Sequence, residues 1–164
     1  MDTRRKKLIG VLKLMGIKSI SSVNSNDDKS FELRLRIQKI IYFLLNKEIN
    51  TDLGFNLGYL YPVYLRGPFS RSLSDDYFNI SEEEFNNTEY IYGDDMSNFL
   101  RVLNEKESIW LEIASTLKML KNANWDDKEA IDRVIEMKHN ILNQNNKDPS
   151  YVSQVCQEMN DLNL

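Results

Sequence analysis

A compact, mainly α single domain is the fold class this sequence predicts, and three observations predict it. Apolar residues recur at helical spacing in most stretches between the polar loops. The 164 residues, 41% hydrophobic and 28% charged, are enough to bury one core without disulfide or metal staples. Strand-like composition is confined to Gly54–Gly67 and a shorter run at Glu89–Tyr92. The expectation is therefore about six to seven helices with a small β-hairpin or short β-segment around residues 55–66 and 89–92. Residues 1–164 read as one domain: an N-terminal helix and polar loop over 1–30, a core over 31–140, and a helical extension over 141–164.

The first helix is predicted from Thr3, as its cap, to about Met15, stopping at Gly16. Leu8, Val11, Leu12 and Met15 form its stripe. Arg4, Arg5, Lys6 and Lys7 crowd its first turn against the helix dipole, which predicts fraying or a neutralising partner. Ser19–Ser30 reads as a polar loop. Phe31–Glu48 is the strongest helix in the chain. Leu33, Ile37, Ile40, Ile41, Leu44 and Leu45 lie on a wide apolar face, with Arg34, Arg36 and Lys39 taking the opposite side.

Gly54–Gly67 combines Phe, Tyr, Val and Leu with three glycines and Pro62, which would hold a strand at a sheet edge. In RGPFSRSLSDDYFNI, Gly67 permits a special backbone angle and Pro68 fixes the next, so the pair forms a stiff turn. Ser70 then caps a helix over Arg71–Ile80 whose stripe is Leu73, Tyr77 and Ile80. Ser81 and Glu84 match a capping box. Further helices are expected at about Asp95–Leu103, Glu105–Leu120, Asp126–Leu142 and Ser150–Leu162, the last capped by Ser150.

Charge is unevenly distributed. Residues 1–74 hold 13 Lys and Arg against 6 Asp and Glu; residues 75–164 hold 8 against 19. Such halves either complement each other on folding or present a basic and an acidic face to different partners. A nucleic-acid surface would draw on Arg4, Arg5, Arg34, Arg36 and Lys39. The acidic second half opposes that reading.

The sequence offers little to catalysis. His139, the only histidine, is placed near a predicted helix C-terminus, where the dipole suits an imidazole, and lacks a triad or metal-site context. Cys156 has no paired base and reads as a packed side chain. The acidic pairs mostly fall at helix starts, except Asp75-Asp76, which falls mid-helix and calls for another reason. No phosphate-binding glycine motif occurs. No catalytic residue, cofactor or metal is expected. With one cysteine, no apolar run of membrane-spanning length and no cleavage site after the basic start, the expected location is the cytoplasm, without membrane contact.

Two stretches carry a resemblance. Ile37-Gln38-Lys39-Ile40-Ile41-Tyr42-Phe43-Leu44 and Tyr64-Leu65-Arg66-Gly67-Pro68-Phe69-Ser70-Arg71-Ser72-Leu73 are similar to the paired L-Q-K helix and G-P-[YF]-S segment of the YwgA-like family of small prokaryotic proteins. Ile37 and Phe69 replace the commoner Leu and Tyr. Trp110–Lys138 also resembles that group's helical C-terminal part, and the motif pair is more distantly similar to the Panacea (SocA-like) antitoxin domain. The resemblance implies a mainly helical fold without established enzymatic activity and, through the antitoxin domain, neutralisation of a partner by direct binding. The expected function is thus a non-catalytic protein-binding module, antitoxin-like or an accessory or regulatory component of a prokaryotic defence system, with a toxin or defence effector as partner. Tyr61, Tyr64, Arg66, Phe69 and Arg71 are the expected contact residues, since Tyr and Arg dominate interface hot spots. Gly67, Pro68 and Ser70 have structural roles. The alternatives are a nucleic-acid-binding regulator and a carboxylate-dependent nuclease.

Overall fold

A computed structural model describes residues 2–46, 57–62 and 67–164. Among them lie ten helices: α1 (Thr3–Leu14), α2 (Ser21–Asn24), α3 (Asp28–Asn46), α4 (Arg71–Asn79), α5 (Glu82–Asn87), α6 (Asp94–Asn104), α7 (Ser108–Asn122), α8 (Asp127–Met137), α9 (His139–Gln144) and α10 (Ser150–Asp161).

Helix α7 occupies the centre. Leu111, Ile113, Ala114 and Leu117 are fully buried, and Ser115 and Thr116 are equally hidden, so it is covered on nearly every side. Helices α3, α8 and α10 pack around it, while α1 and α3 both contact α6, and α2 joins α3 to α4. The apolar face of α3 is the expected one, with Ile37, Ile40, Ile41 and Leu44 buried. Gln38 is buried as well, and so is Lys39, which the sequence places on the polar face.

Several boundaries differ from expectation for local reasons. Asp2, not Thr3, caps α1, its carboxylate accepting from the Arg4 amide. Part of the expected loop over 19–30 is the short α2, and α3 begins three residues before Phe31. The expected helix over Asp126–Leu142 breaks at Lys138 into α8 and α9, so His139 begins a helix instead of ending one. Pro149, not Ser150, is the N-cap of α10. Ser70 caps α4 through a bond from the Leu73 amide, and Ser81 with Glu84 forms the capping box of α5. The helix count rises from six or seven to ten through these short pieces.

The β-segments are a correction. No strand occurs among the described residues, and 55–56 and 63–66 lie outside them. In residues 57–62, Leu57 and Tyr59 insert into the core, and the Tyr61 hydroxyl donates to the Gln38 carbonyl at 2.9 Å. Side chains dock this segment on helices, and Pro62 has no amide to offer a ladder. Residues 89–92 are likewise laid across a helix. The Tyr92 hydroxyl donates to the Lys7 carbonyl at 2.7 Å, and Lys13 Nζ to the Thr88 carbonyl at 2.7 Å. Gly10 makes this possible: a β-carbon there would lie 2.9 Å from the Tyr92 ring and 3.0 Å from the Tyr90 carbonyl oxygen.

Candidate functional site

The turn at Gly67–Ser70 is held from below by the very helix whose sequence accompanies it in the resemblance. Gln38, buried on α3, uses both ends of its amide: Oε1 accepts from the Ser70 amide at 2.8 Å, and Nε2 donates to the Ser70 carbonyl at 2.9 Å. The neighbouring Lys39 Nζ donates to the Pro68 carbonyl at 2.8 Å. Three backbone groups of a non-helical corner thus find buried partners, as burial demands. A helical glutamine and lysine side by side can do this because the turn crosses the helix flank.

Gly67 closes the approach. Its φ of +104° lies in the region that favours glycine. A β-carbon there would meet Thr116 Oγ1 at 2.7 Å and lie 3.6 and 3.7 Å from the ammonium nitrogens of Lys39 and Lys138. The corner therefore rests directly on a buried charge cluster. Glu112 on α7 accepts from Lys138 Nζ at 2.6 Å and stands 3.8 Å from Lys39 Nζ, all three side chains being over nine-tenths buried. Burial lowers the Lys39 pKa, opposed by the Glu112 charge and reinforced by Lys138. Glu112 Oε2 accepts no hydrogen bond from any described residue.

The expected contact residues divide. Phe69 is 40% exposed and Arg71, the first residue of α4, is exposed. Tyr61 is half-buried, with its hydroxyl engaged by α3 and its ring 5.1 Å from that of Tyr42. Tyr64 and Arg66 lie outside the described residues. Gly67, Pro68 and Ser70 are buried.

The sequence reasoning missed two aromatic residues beside this corner. On α4, Arg71, Asp75 and Phe78 share the solvent face, and Phe78 is 50% exposed. The Arg34 guanidinium lies 5.4 Å from the Phe78 ring centroid and 6.0 Å from that of Phe31, itself 64% exposed. The exposed rings of Phe78 and Phe31 are thus bridged by the half-buried Arg34, from α4 to the start of α3. A large aromatic off the Leu73–Tyr77–Ile80 stripe was the available signal.

The basic residues of the nucleic-acid reading are drawn into the molecule. Arg4 forms a two-pronged pair with Asp76 at 2.8 and 3.2 Å, and Arg5 meets Glu84 at 3.4 Å. Arg34 donates to the Val23 and Ser25 carbonyls. Arg36 donates to the Asn104 and Lys106 carbonyls at the end of α6. Lys39 is buried under the turn. Phosphates would have to displace these partners. The mid-helix Asp76 finds its reason here too, since it also accepts from the buried Tyr59 hydroxyl at 2.7 Å.

His139 is exposed at the start of α9, and Cys156 is buried in α10. No three His, Cys, Asp or Glu side chains converge as metal ligands among the described residues. No helix among them is long and apolar enough to cross a membrane. In comparisons with known proteins, the chain matches no family model, no curated protein and no solved structure.

Proposed function

We propose that this chain is a non-catalytic protein-binding module of the antitoxin-like or defence-accessory kind, acting in the cytoplasm by covering a toxin or effector partner. The observation that carries the reading is the corner itself. Phe69 and Arg71 protrude from a backbone whose polar groups are fastened by Gln38 and Lys39. A contact pair fixed before binding loses little conformational entropy on association. Aromatic and arginine side chains on such a support have the composition of interface hot spots. Phe78, with Arg34 and Phe31, extends the same face, and Tyr64 and Arg66 belong to the same proposed contact set.

The experiment is quantitative capture from the host with the wild-type chain and a Phe69→Ala/Arg71→Ala variant. The wild type should retain a stoichiometric protein partner. The variant, equally stable to urea, should lose about 2–4 kcal/mol of its affinity for that partner. A partner retained equally by both would move the interface elsewhere, and no stoichiometric partner with either would remove the binding-module reading.

A further inference from the structure

On the proposed face, Arg34 of α3 is a half-buried cation whose donors are only partly used. Its Nη1 donates to the Val23 and Ser25 carbonyls at 2.6 and 2.8 Å. Its other two nitrogens, Nε and Nη2, donate to nothing among the described residues. Both reach solvent, unlike the fully enclosed and unpartnered Arg5 Nε. No carboxylate among the described residues forms an ion pair with Arg34.

Nε and Nη2 make up the side edge of the guanidinium, which matches the two oxygens of a carboxylate. Arg4 uses that edge in this same molecule, Nε to Asp76 Oδ2 at 2.8 Å and Nη2 to Oδ1 at 3.2 Å. In Arg34 the edge is open and the group is already anchored through Nη1, so little freedom is lost when an acceptor arrives. The Phe31 and Phe78 rings stand 6.0 and 5.4 Å from the guanidinium carbon and are 64% and 50% exposed. They offer apolar surface on either side of the fork.

We infer that this fork takes a carboxylate, the side chain of a glutamate or aspartate on the partner protein, with neighbouring apolar residues resting on Phe31 and Phe78. The inference rests on the protein-binding reading for the source of that carboxylate. Two N–H groups of an unpaired cation gain acceptors at once, a geometry that lysine could not provide. A phosphate fits less well. Asp27 is exposed within charge range of Arg34, and the exposed Asp75 precedes Phe78 by one turn, so a doubly charged group would meet more repulsion than a singly charged one.

The test follows the arginine Nε–H resonances of the full chain during titration with acetyl-Leu-Glu-Leu-amide, with acetyl-Leu-Gln-Leu-amide as the neutral control. The Arg34 signal, identified by its absence from Arg34→Lys, should shift with the glutamate peptide at roughly millimolar affinity. The glutamine peptide should bind at least about tenfold more weakly, the loss of a charge-assisted, two-pronged contact. Phe78→Ala leaves the Nη1 anchor in place and should weaken the glutamate peptide about two- to fivefold, the loss of one apolar contact. No Arg34 shift up to about 20 mM glutamate peptide, weaker than any specific contact of this kind, would overturn the inference. So would equal binding of the glutamine peptide, full affinity in Phe78→Ala, or tighter binding of acetyl-Leu-phosphoserine-Leu-amide. A chain that answers the glutamate peptide at Arg34 yet retains no host partner contradicts the binding-module reading and leaves the fork. One that retains a host partner without that answer contradicts the fork alone.

Discussion

Gln38 shows how one side chain fixes a corner of the molecule. Its amide reaches both polar groups of Ser70: the N–H has Gln38 as its hydrogen-bond acceptor, while the carbonyl also accepts from the Ser74 amide at 3.2 Å. Gln38→Ala leaves the buried Ser70 N–H unpaired, while its carbonyl keeps the Ser74 amide, and urea unfolding should report a loss of roughly 1–3 kcal/mol. Gly67→Ala combines a φ of +104° with a contact to Thr116 Oγ1, and should cost about 2–4 kcal/mol. Adding Thr116→Ala removes the clash but not the backbone strain, so the double variant should regain only part of that loss. Full recovery would assign the whole effect to the clash. Lys39 adds a pH dependence. Its folded pKa is lowered, so between that value and the ordinary lysine value of 10.5 the unfolded chain holds more protons than the folded one. Stability should therefore rise with pH across that window relative to a Lys39→Met chain, and matching pH profiles of the two would contradict it. Gly67, Pro68 and Ser70 were legible in the sequence because turn and cap chemistry is local. That Gln38 and Lys39 were their partners was not. The two sites are about thirty residues apart, and polar side chains beside an apolar stripe read by default as solvent-facing.

Elements were legible where one face of a repeating pattern is buried. The stripe of α3 and the caps of α4 and α5 follow directly from sequence, as does the central α7 in outline. The expected strands were not, because a strand is defined by its partner. Leu57–Pro62 and Glu89–Tyr92 have strand-like composition, yet their aromatic side chains and hydroxyls bind helices. Gly10 exposes this logic to a direct check. Gly10→Ala improves the intrinsic helix propensity of α1 by about 1 kcal/mol. Its methyl group would nonetheless press on Tyr92 and the Tyr90 carbonyl. The overpacking should win, with a net loss of about 1–2 kcal/mol by thermal or urea unfolding. A stabilised variant would mean that residues 88–93 are not seated on α1.

At the scale of the whole molecule, the basic first half and acidic second half join. Arg4–Asp76, Arg5–Glu84 and Lys39–Glu112 each cross between them. The sequence predicted such complementarity as one of two outcomes but not its geometry, since charge counts carry no distances. Asp76 tests the largest of these contacts, for it holds both Arg4 and the Tyr59 hydroxyl. Asp76→Ala should cost about 2 kcal/mol, less than a fully buried pair because the Arg4 side chain is 34% exposed. These cross-contacts tie α1 to α4 and α5, and α3 to α7, and the corner at Gly67–Ser70, which presents Phe69 and Arg71, rests on the second pair. The most direct test of that rigid presentation is amide hydrogen exchange at Ser70. Its N–H should be protected to near the global unfolding free energy in the wild type. In Gln38→Ala it should lose more protection than the amides of α7. Exchange at Ser70 in the wild type as fast as in an open loop would contradict the account.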